Sequence, residues 1–459
     1  MTNKVAFLYI SLSVFLSLSC KKDGDKEIDP ETTEGLSEPV SSYSANVISD
    51  YSALQLKLIP NTPGYETPVA ARSMAYLALA AYEAGVNGIE GKKSLGGTLE
   101  GFNNLPEIDT SLEYNWPLAI NASQHTLMKK IYGTTGDVLK SRMDTLKKQY
   151  ETFYKIGVGS DIVERSIRFG ADVAQAVWNY SQNDNGHAAY DNNYPKSNNE
   201  FSGVGKWQPT GQVKRPLLPN WGTVRTFGTG NSNLTVEPAK VFSFSNNTAF
   251  FSEVNDVYTT ANNLNIAQEA IMNFWYMPER SVTQAGNQLG FLLNLLSKES
   301  YKLDKALLLN LKVTFAMHDA LVVSYKNKYE SNIMRPSSYI HEAIDPNWQP
   351  NLPETPVPDY TSDQATLVSA VATILASEFG EDYTFEIVSQ ADNTKKRAFK
   401  TFSSFAKEAT VAPIYAGVSY RMSATNGALQ GITVASNVLN LDLKKEVVAD
   451  STTTTVAFR

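Results

Sequence analysis

The chain has a single cysteine, Cys20, and four histidines among its 459 residues. One thiol cannot form an intrachain disulfide, and it cannot build a thiolate metal cage. No two of His125, His187, His318 and His341 stand four apart, which removes the helical two-histidine metal site. Positive charge is also scarce: the formal net charge is −7 and no basic run occurs in the body of the chain, so nucleic acid is not an expected partner. No repeat of fixed period is present. Alternation of the β type is confined to two short stretches, V-F-S-F-S at 241–245 and T-T-T-T-V-A-F-R at 452–459.

What is abundant is helical patterning on a composition of 42% hydrophobic and 19% charged residues, that of a folded chain. In P-V-A-A-R-S-M-A-Y-L-A-L-A-A-Y-E-A, Met74, Leu77, Ala78, Ala81 and Tyr82 recur at i, i+3, i+4, i+7 and i+8. Alanine on such a face lets helices approach closely. Further amphipathic stretches run over 119–131, 138–153, 162–181 and 305–326, and helical pattern resumes near Val254 after a long Gly/Asn/Pro-rich interval at 182–247. The fold class this predicts is all-α, a helical bundle with long irregular loops. An interval of that length is a lid, a wall of a site, an interaction surface, or an ordered strap over the bundle. Arg72 and Glu83 are read as structural charges, and His318 beside Asp319 as a packed, hydrogen-bonded histidine.

At the N-terminus, Lys4 precedes an apolar run at 5–18 that is shorter than the ~20 residues of a membrane span and fits a secretory core. It ends in S-L-S-C, which resembles a bacterial lipoprotein signal with Cys20 as the lipidated residue, although Ser17 stands where such signals have an aliphatic side chain. A charged stretch follows, K-K-D-G-D-K-E-I-D-P-E-T-T-E-G, and reads as a flexible tether. The expected organisation is a signal at 1–20, a tether at 21–42, a helical domain at 43–440 and a tail at 441–459. The expected location is the cell envelope, at the outer membrane, with the membrane engaged through an N-terminal lipid.

The stretch 328–362 carries the chemistry. Lys328 and Arg335 are two helical turns apart, so both cations can project from one face toward a loop that ends at a helix N-terminus, an arrangement suited to an oxyanion. D-A-L-V-V-S-Y-K-N-K-Y-E-S-N-I-M-R-P resembles the first motif of the vanadium-dependent haloperoxidases and the type-2 phosphatidic acid phosphatases: a lysine, six residues, then arginine and proline, here Lys328, Arg335 and Pro336. The resemblance extends through W-Q-P, T-P-V-P-D-Y, P-N-W-G-T-V-R-T-F and the alanine-rich helix, over about 43–440. It implies a helical bundle binding phosphate or vanadate through lysine, two arginines, serine and backbone amides, with one histidine as nucleophile or vanadium ligand and a second handling protons.

This chain departs from that pattern. Where the family has proline-serine-glycine-histidine, it has Thr361, Ser362, Asp363 and Gln364. Ala412 and Pro413 replace a serine-arginine pair, Gly417 is kept, Ser419 stands where the nucleophile or vanadium ligand should be, and Ser423 replaces a supporting aspartate. Losing an arginine and gaining Asp363 shifts the site by about two charges. Each unit pair is worth roughly 4 kcal/mol at a few ångströms and an effective dielectric near 20. The phosphate- or vanadate-like pocket is expected at Lys328, Arg335, Ser362, Asp363 and Gly417, with Gln364 and Ser419 at the altered catalytic positions. No cofactor is expected, vanadate entering only if the family site still works. Ser362 and Asp363 could cap the following helix, and Lys328 and Arg335 could pair with Asp363 in a self-neutralised pocket. Three functions remain open: an envelope lipoprotein that binds an unknown ligand or envelope protein through the long loop region, an enzyme with a rebuilt site using Asp363 or Ser419, and an unrelated nutrient-binding lipoprotein. The first is favoured, and with it an inactive site.

Overall fold

Small side chains set the centre of the protein. After α1 (Asn46–Leu58) comes α2 (Thr67–Gly85), and every residue of α2 after Thr67 is buried in the computed structural model, which describes residues 37–195, 201–209 and 214–445. A helix apolar on all sides needs neighbours on all sides. The alanines let α3 (Trp116–Ile131) close on one flank, while α4 (Asp137–Tyr154) and α5 (Ser160–Ser181) pack around α3. In α5, Val163, Phe169, Val173 and Val177 are buried, the single apolar stripe of a surface helix.

The second group opens with α6 (Ala249–Asn262) and α7 (Ile266–Trp275), the latter started by a capping box between Asn265 and Gln268. Next come α8 (Thr283–Lys298) and the 29-residue α9 (Leu303–Ser331), which packs on α2. The most apolar window of α9 is 89% buried, so its long hydrophobic run serves as a spine of the core. Beyond it lie α10 (Pro336–Ala343), α11 (Asp363–Phe379), α12 (Phe402–Tyr415) and α13 (Arg421–Leu439). Helix α13 lies so close to α11 that a Cβ at Gly431 would come within 2.2 Å of the Thr366 carbonyl oxygen; only glycine admits that approach.

All-α is therefore the architecture, with one antiparallel hairpin, β1 (Phe385–Val388) against β2 (Lys396–Phe399), among the described residues. The alternating stretch 241–245 is not a strand. With no neighbouring strand to pair with, Phe242 instead packs on Phe244, Phe250 and Tyr339. The second alternating stretch, at 452–459, lies outside the described residues, as do Cys20 and the tether through residue 36. The packed body begins earlier than Tyr43: Val40 is fully buried, and Ser37 Oγ accepts a hydrogen bond from Tyr114 N at 2.8 Å. It also continues past Asn440, where Leu443 is buried and its carbonyl accepts from Lys93 N.

The described parts of 182–247 form an ordered strap containing only short 3-10 turns. Asp184 fastens one end: it accepts from Arg72 Nε at 2.7 Å, Tyr76 Oη at 2.8 Å and Gly186 N at 2.8 Å. Asp319 of α9 fastens the strap again at 227–231, accepting from Phe227 N, Gly228 N and Asn231 Nδ2. His318 Nε2 lies 2.9 Å from Arg225 O. Arg72, His318 and Asp319 are thus engaged in fastening the strap, while Glu83 accepts from Ser94 Oγ and Leu95 N.

Candidate functional site

Three chain reversals bring the site together. Helix α9 ends at Ser331, with Asn332 in the left-handed conformation at φ 47°, and Lys328 in its last turn. Arg335 is the N-cap residue of α10, where Pro336 takes the first-turn position that proline tolerates. The loop after α10 delivers Asp359 and then Ser362, whose hydroxyl oxygen accepts from Ala365 N and caps α11, beginning at Asp363. At the end of α12, Gly417 turns at φ 78° and sends Ser419 back toward Asp359.

These segments line a cavity of about 840 Å³, within the range of small-molecule sites. Of the residues singled out in the sequence, Lys328, Arg335, Ser362, Asp363, Gln364 and Ser419 all border it. Gly417 does not. Its place is the turn beneath the wall, where a Cβ would meet the Trp348 ring at 2.8 Å.

Lys328 and Arg335 are already engaged. Lys328 Nζ, almost fully buried, lies 3.3 Å from Asp363 Oδ1 and 3.4 Å from Pro358 O. Burial lowers the Lys328 ammonium and Asp363 opposes it. Burial raises the Asp363 carboxyl, but Lys328 and then Arg335 outweigh it and hold it below the usual carboxylate value. Arg335 gives Nε to Val357 O at 2.8 Å, Nη1 to Val418 O at 2.7 Å and Nη2 to Thr355 O at 3.4 Å. The expected pairing of Asp363 with both cations is thus realised for Lys328, whereas Arg335 is held by backbone carbonyls. The planar guanidinium fork matches a set of fixed oxygens as readily as an anion.

The altered positions are equally occupied. Ser419 Oγ donates to Asp359 Oδ1 at 3.0 Å, and Asp359 Oδ2 accepts from Tyr420 N at 2.9 Å. Gln364 donates to Ala409 O at 2.9 Å and accepts from Gln284 Nε2 at 3.0 Å. Ser423 sends its carbonyl, not its hydroxyl, to the site, accepting from Ser362 N at 2.9 Å. Sequence reasoning missed Asp359, fully buried in T-P-V-P-D-Y, and Glu354, whose Oε2 accepts from Ser337 Oγ while Oε1 has no hydrogen-bond partner. The available signal was the density of acids at 354, 359 and 363 beside two cations.

An oxyanion such as vanadate needs converging donors and, in a haloperoxidase, an imidazole. The donors here are Lys328 and Arg335, both committed to internal acceptors, the exposed Arg280, and the Ser362 and Ser419 hydroxyls, engaged in internal hydrogen bonds; the acceptor carboxylates of Asp359 and Asp363 face the same space. No histidine borders the cavity. These residues do not fit vanadate, and no step through it follows from them.

Residues 308–445 match the family described as the VCPO second helical-bundle domain. The structure is similar to that of the first bacterial vanadium-dependent iodoperoxidase, with a TM-score of 0.78 and 26% identity over 88% of this chain and 99% of that one. It is similar in fold to a bacterial vanadium-dependent chloroperoxidase: the holo form matches at a TM-score of 0.60 and 14% identity over 83% of this chain and 92% of that one. The apo form matches at 0.62 and 15% over 82% and 93%. No curated protein matches the chain. Lys328, Arg335 and Pro336 fall inside the matched residues, on the helix end and turn that build the cavity. Over residues 308–445 the chain thus carries the match to the VCPO second helical-bundle domain, and across most of its length its fold is similar to that of the bacterial vanadium-dependent haloperoxidases.

Proposed function

We propose that this protein is an envelope lipoprotein whose haloperoxidase-like domain acts by binding and does not catalyse the family's reactions. One observation carries the reading: the cations that would hold an oxyanion are satisfied from within, Lys328 by Asp363 at 3.3 Å and Arg335 by three backbone carbonyls. Displacing those partners for an incoming anion would leave Asp363 without its counter-ion, so the pocket resists the charge that the family's chemistry requires. Anchoring through Cys20 is supported by the apolar run at 5–18 that ends in S-L-S-C and by the charged stretch after it.

The test is a calorimetric titration of orthovanadate and inorganic phosphate onto the purified protein, with bromide oxidation and phosphomonoester hydrolysis assayed alongside. Neither anion is expected to bind below millimolar concentration, and no turnover is expected. Turnover that Arg335→Ala abolishes would overturn the proposal. Metabolic labelling with a fatty-acid probe, lost in Cys20→Ala, tests the anchor.

A further inference from the structure

Five carboxylates border the cavity: Glu66, Glu279, Glu354, Asp359 and Asp363. Three cations do so, Arg280, Lys328 and Arg335, of which Lys328 and Arg335 are committed to the internal acceptors described above. Asp359 and Asp363 offset those two, so the excess negative charge sits on the remaining acids.

Two acceptors are left over. Glu354 Oε1 and Gln284 Oε1 are both buried on cavity-lining side chains, and neither has a hydrogen-bond partner. Gln284 spends its amide donor on Trp275 O at 2.7 Å and on Gln364 Oε1 at 3.0 Å, so only its acceptor remains for a ligand. A buried carboxylate oxygen without a partner costs free energy until a donor reaches it. Burial pushes the Glu354 carboxyl up, against the opposing pull of Arg335. Glu66 is raised in the same direction, first by burial and then by the neighbouring charge of Glu279. The half-buried Tyr194 and Tyr276 line the same space, and aromatic rings attract cations.

We infer that the cavity binds a small molecule carrying an ammonium group, held by Glu354 and Gln284 within and by Glu66 and Glu279 beside the aromatic rings. An ammonium is a donor without acceptors, complementary to two unpartnered oxygens and to the acidic excess. A divalent metal fits less well, because among the described residues no group of three His, Cys, Asp or Glu side chains is placed to hold one. The inference rests on the non-catalytic reading above and specifies its ligand class.

Calorimetry on the full chain at 0.15 M salt tests it with matched pairs: putrescine against 1,4-butanediol, and glucosamine against glucose. At least one amine is expected to bind, and its neutral partner at least tenfold more weakly. Glu354→Gln is isosteric and should weaken the amine at least tenfold, with circular dichroism checking the fold. Glu279→Gln, at an exposed position, gives a second variant with the same direction of effect should the first misfold. Equal binding of amine and neutral partner overturns the inference, as does the absence of binding by both amines. Absence of amine and vanadate binding together removes only the ligand class, whereas tight vanadate binding removes the non-catalytic reading as well.

Discussion

Gln364 donates its side-chain amide to Ala409 O at 2.9 Å, and Ala409 is the residue four before Pro413 in α12. Proline has no N–H, so Ala409 O lacks the donor an uninterrupted helix would supply. Two positions that break the family's pattern are therefore linked in space: Gln364 meets the acceptor that Pro413 leaves open. Neither substitution is an isolated loss.

Because the two act on one carbonyl, their effects on stability should be coupled. Gln364→Ala alone should destabilise by about 1–3 kcal/mol, the cost of an unsatisfied buried polar group. In a Pro413→Ala background residue 413 regains its N–H and serves Ala409 O, so the same Gln364→Ala change should cost much less. A double-mutant cycle by urea denaturation measures the coupling; strictly additive values would sink the account.

On the proposed non-catalytic reading, Asp363 is what keeps an anion from Lys328. Asp363→Ala removes the carboxylate 3.3 Å away and leaves a buried ammonium without its ion partner. About a third of the Asp363 side chain is exposed, so the loss should fall below the 3–5 kcal/mol of a fully buried pair, on the order of 2 kcal/mol. Millimolar phosphate should then raise the thermal midpoint of the variant and leave the wild-type midpoint unchanged. A variant that phosphate does not stabilise would show that Asp363 is not what excludes the anion.

Ser419→His alone should produce no bromide oxidation in the presence of vanadate. The new imidazole would face Asp359, which now accepts from Ser419 Oγ and Tyr420 N, while Gln364, Asp363 and Pro413 stay in place. Catalytic groups that act as a unit fail as a unit. Measurable turnover by this single variant would mean that the rest of the site is more competent than its hydrogen bonding indicates.

Glu83 gives a pH signature remote from the cavity. Burial pushes its carboxyl up to about 7 from 4.5, against hydrogen bonds from Ser94 Oγ and Leu95 N. The folded state therefore holds a proton that the unfolded state releases near pH 4.5. The resulting stability is full below that pH and is lost as pH rises through about 7, on the order of 3 kcal/mol in all. Denaturant midpoints measured from pH 5 to 8 should fall with pH, and Glu83→Gln should flatten that slope. Asp319, pushed up to about 7 by burial, contributes in the same direction and stays in the variant as background.

Much of the molecule is legible in local pattern. The 3.6-residue period and alanine density of 67–85 fix a buried helix because spacing and side-chain size are properties of the chain itself. The lysine-to-arginine spacing of 328 and 335 likewise places a helix end and the following Arg-Pro turn. Charge pairing across the loop is harder: Asp363 was recognised as a partner for Lys328, but the carbonyls that take Arg335 lie at 355, 357 and 418, and backbone oxygens carry no residue-type signal. The alternation at 241–245 forms no strand for a related reason, since a strand exists only when another strand pairs with it.

The sequence by itself determined the helical class, the placement of two cations near a helix N-terminus, and the presence of Gln364 and Ser419 where the resemblance expects histidines. Tertiary structure alone decided what those cations do. It brought Asp359 against Ser419 across 60 positions and Gln364 against Ala409 across 45, and it left Glu354 Oε1 and Gln284 Oε1 unpartnered at the cavity. The physical reason is range: periodicity and residue type act over one or two turns, whereas the satisfaction of a buried charge depends on every segment that the fold brings within a few ångströms.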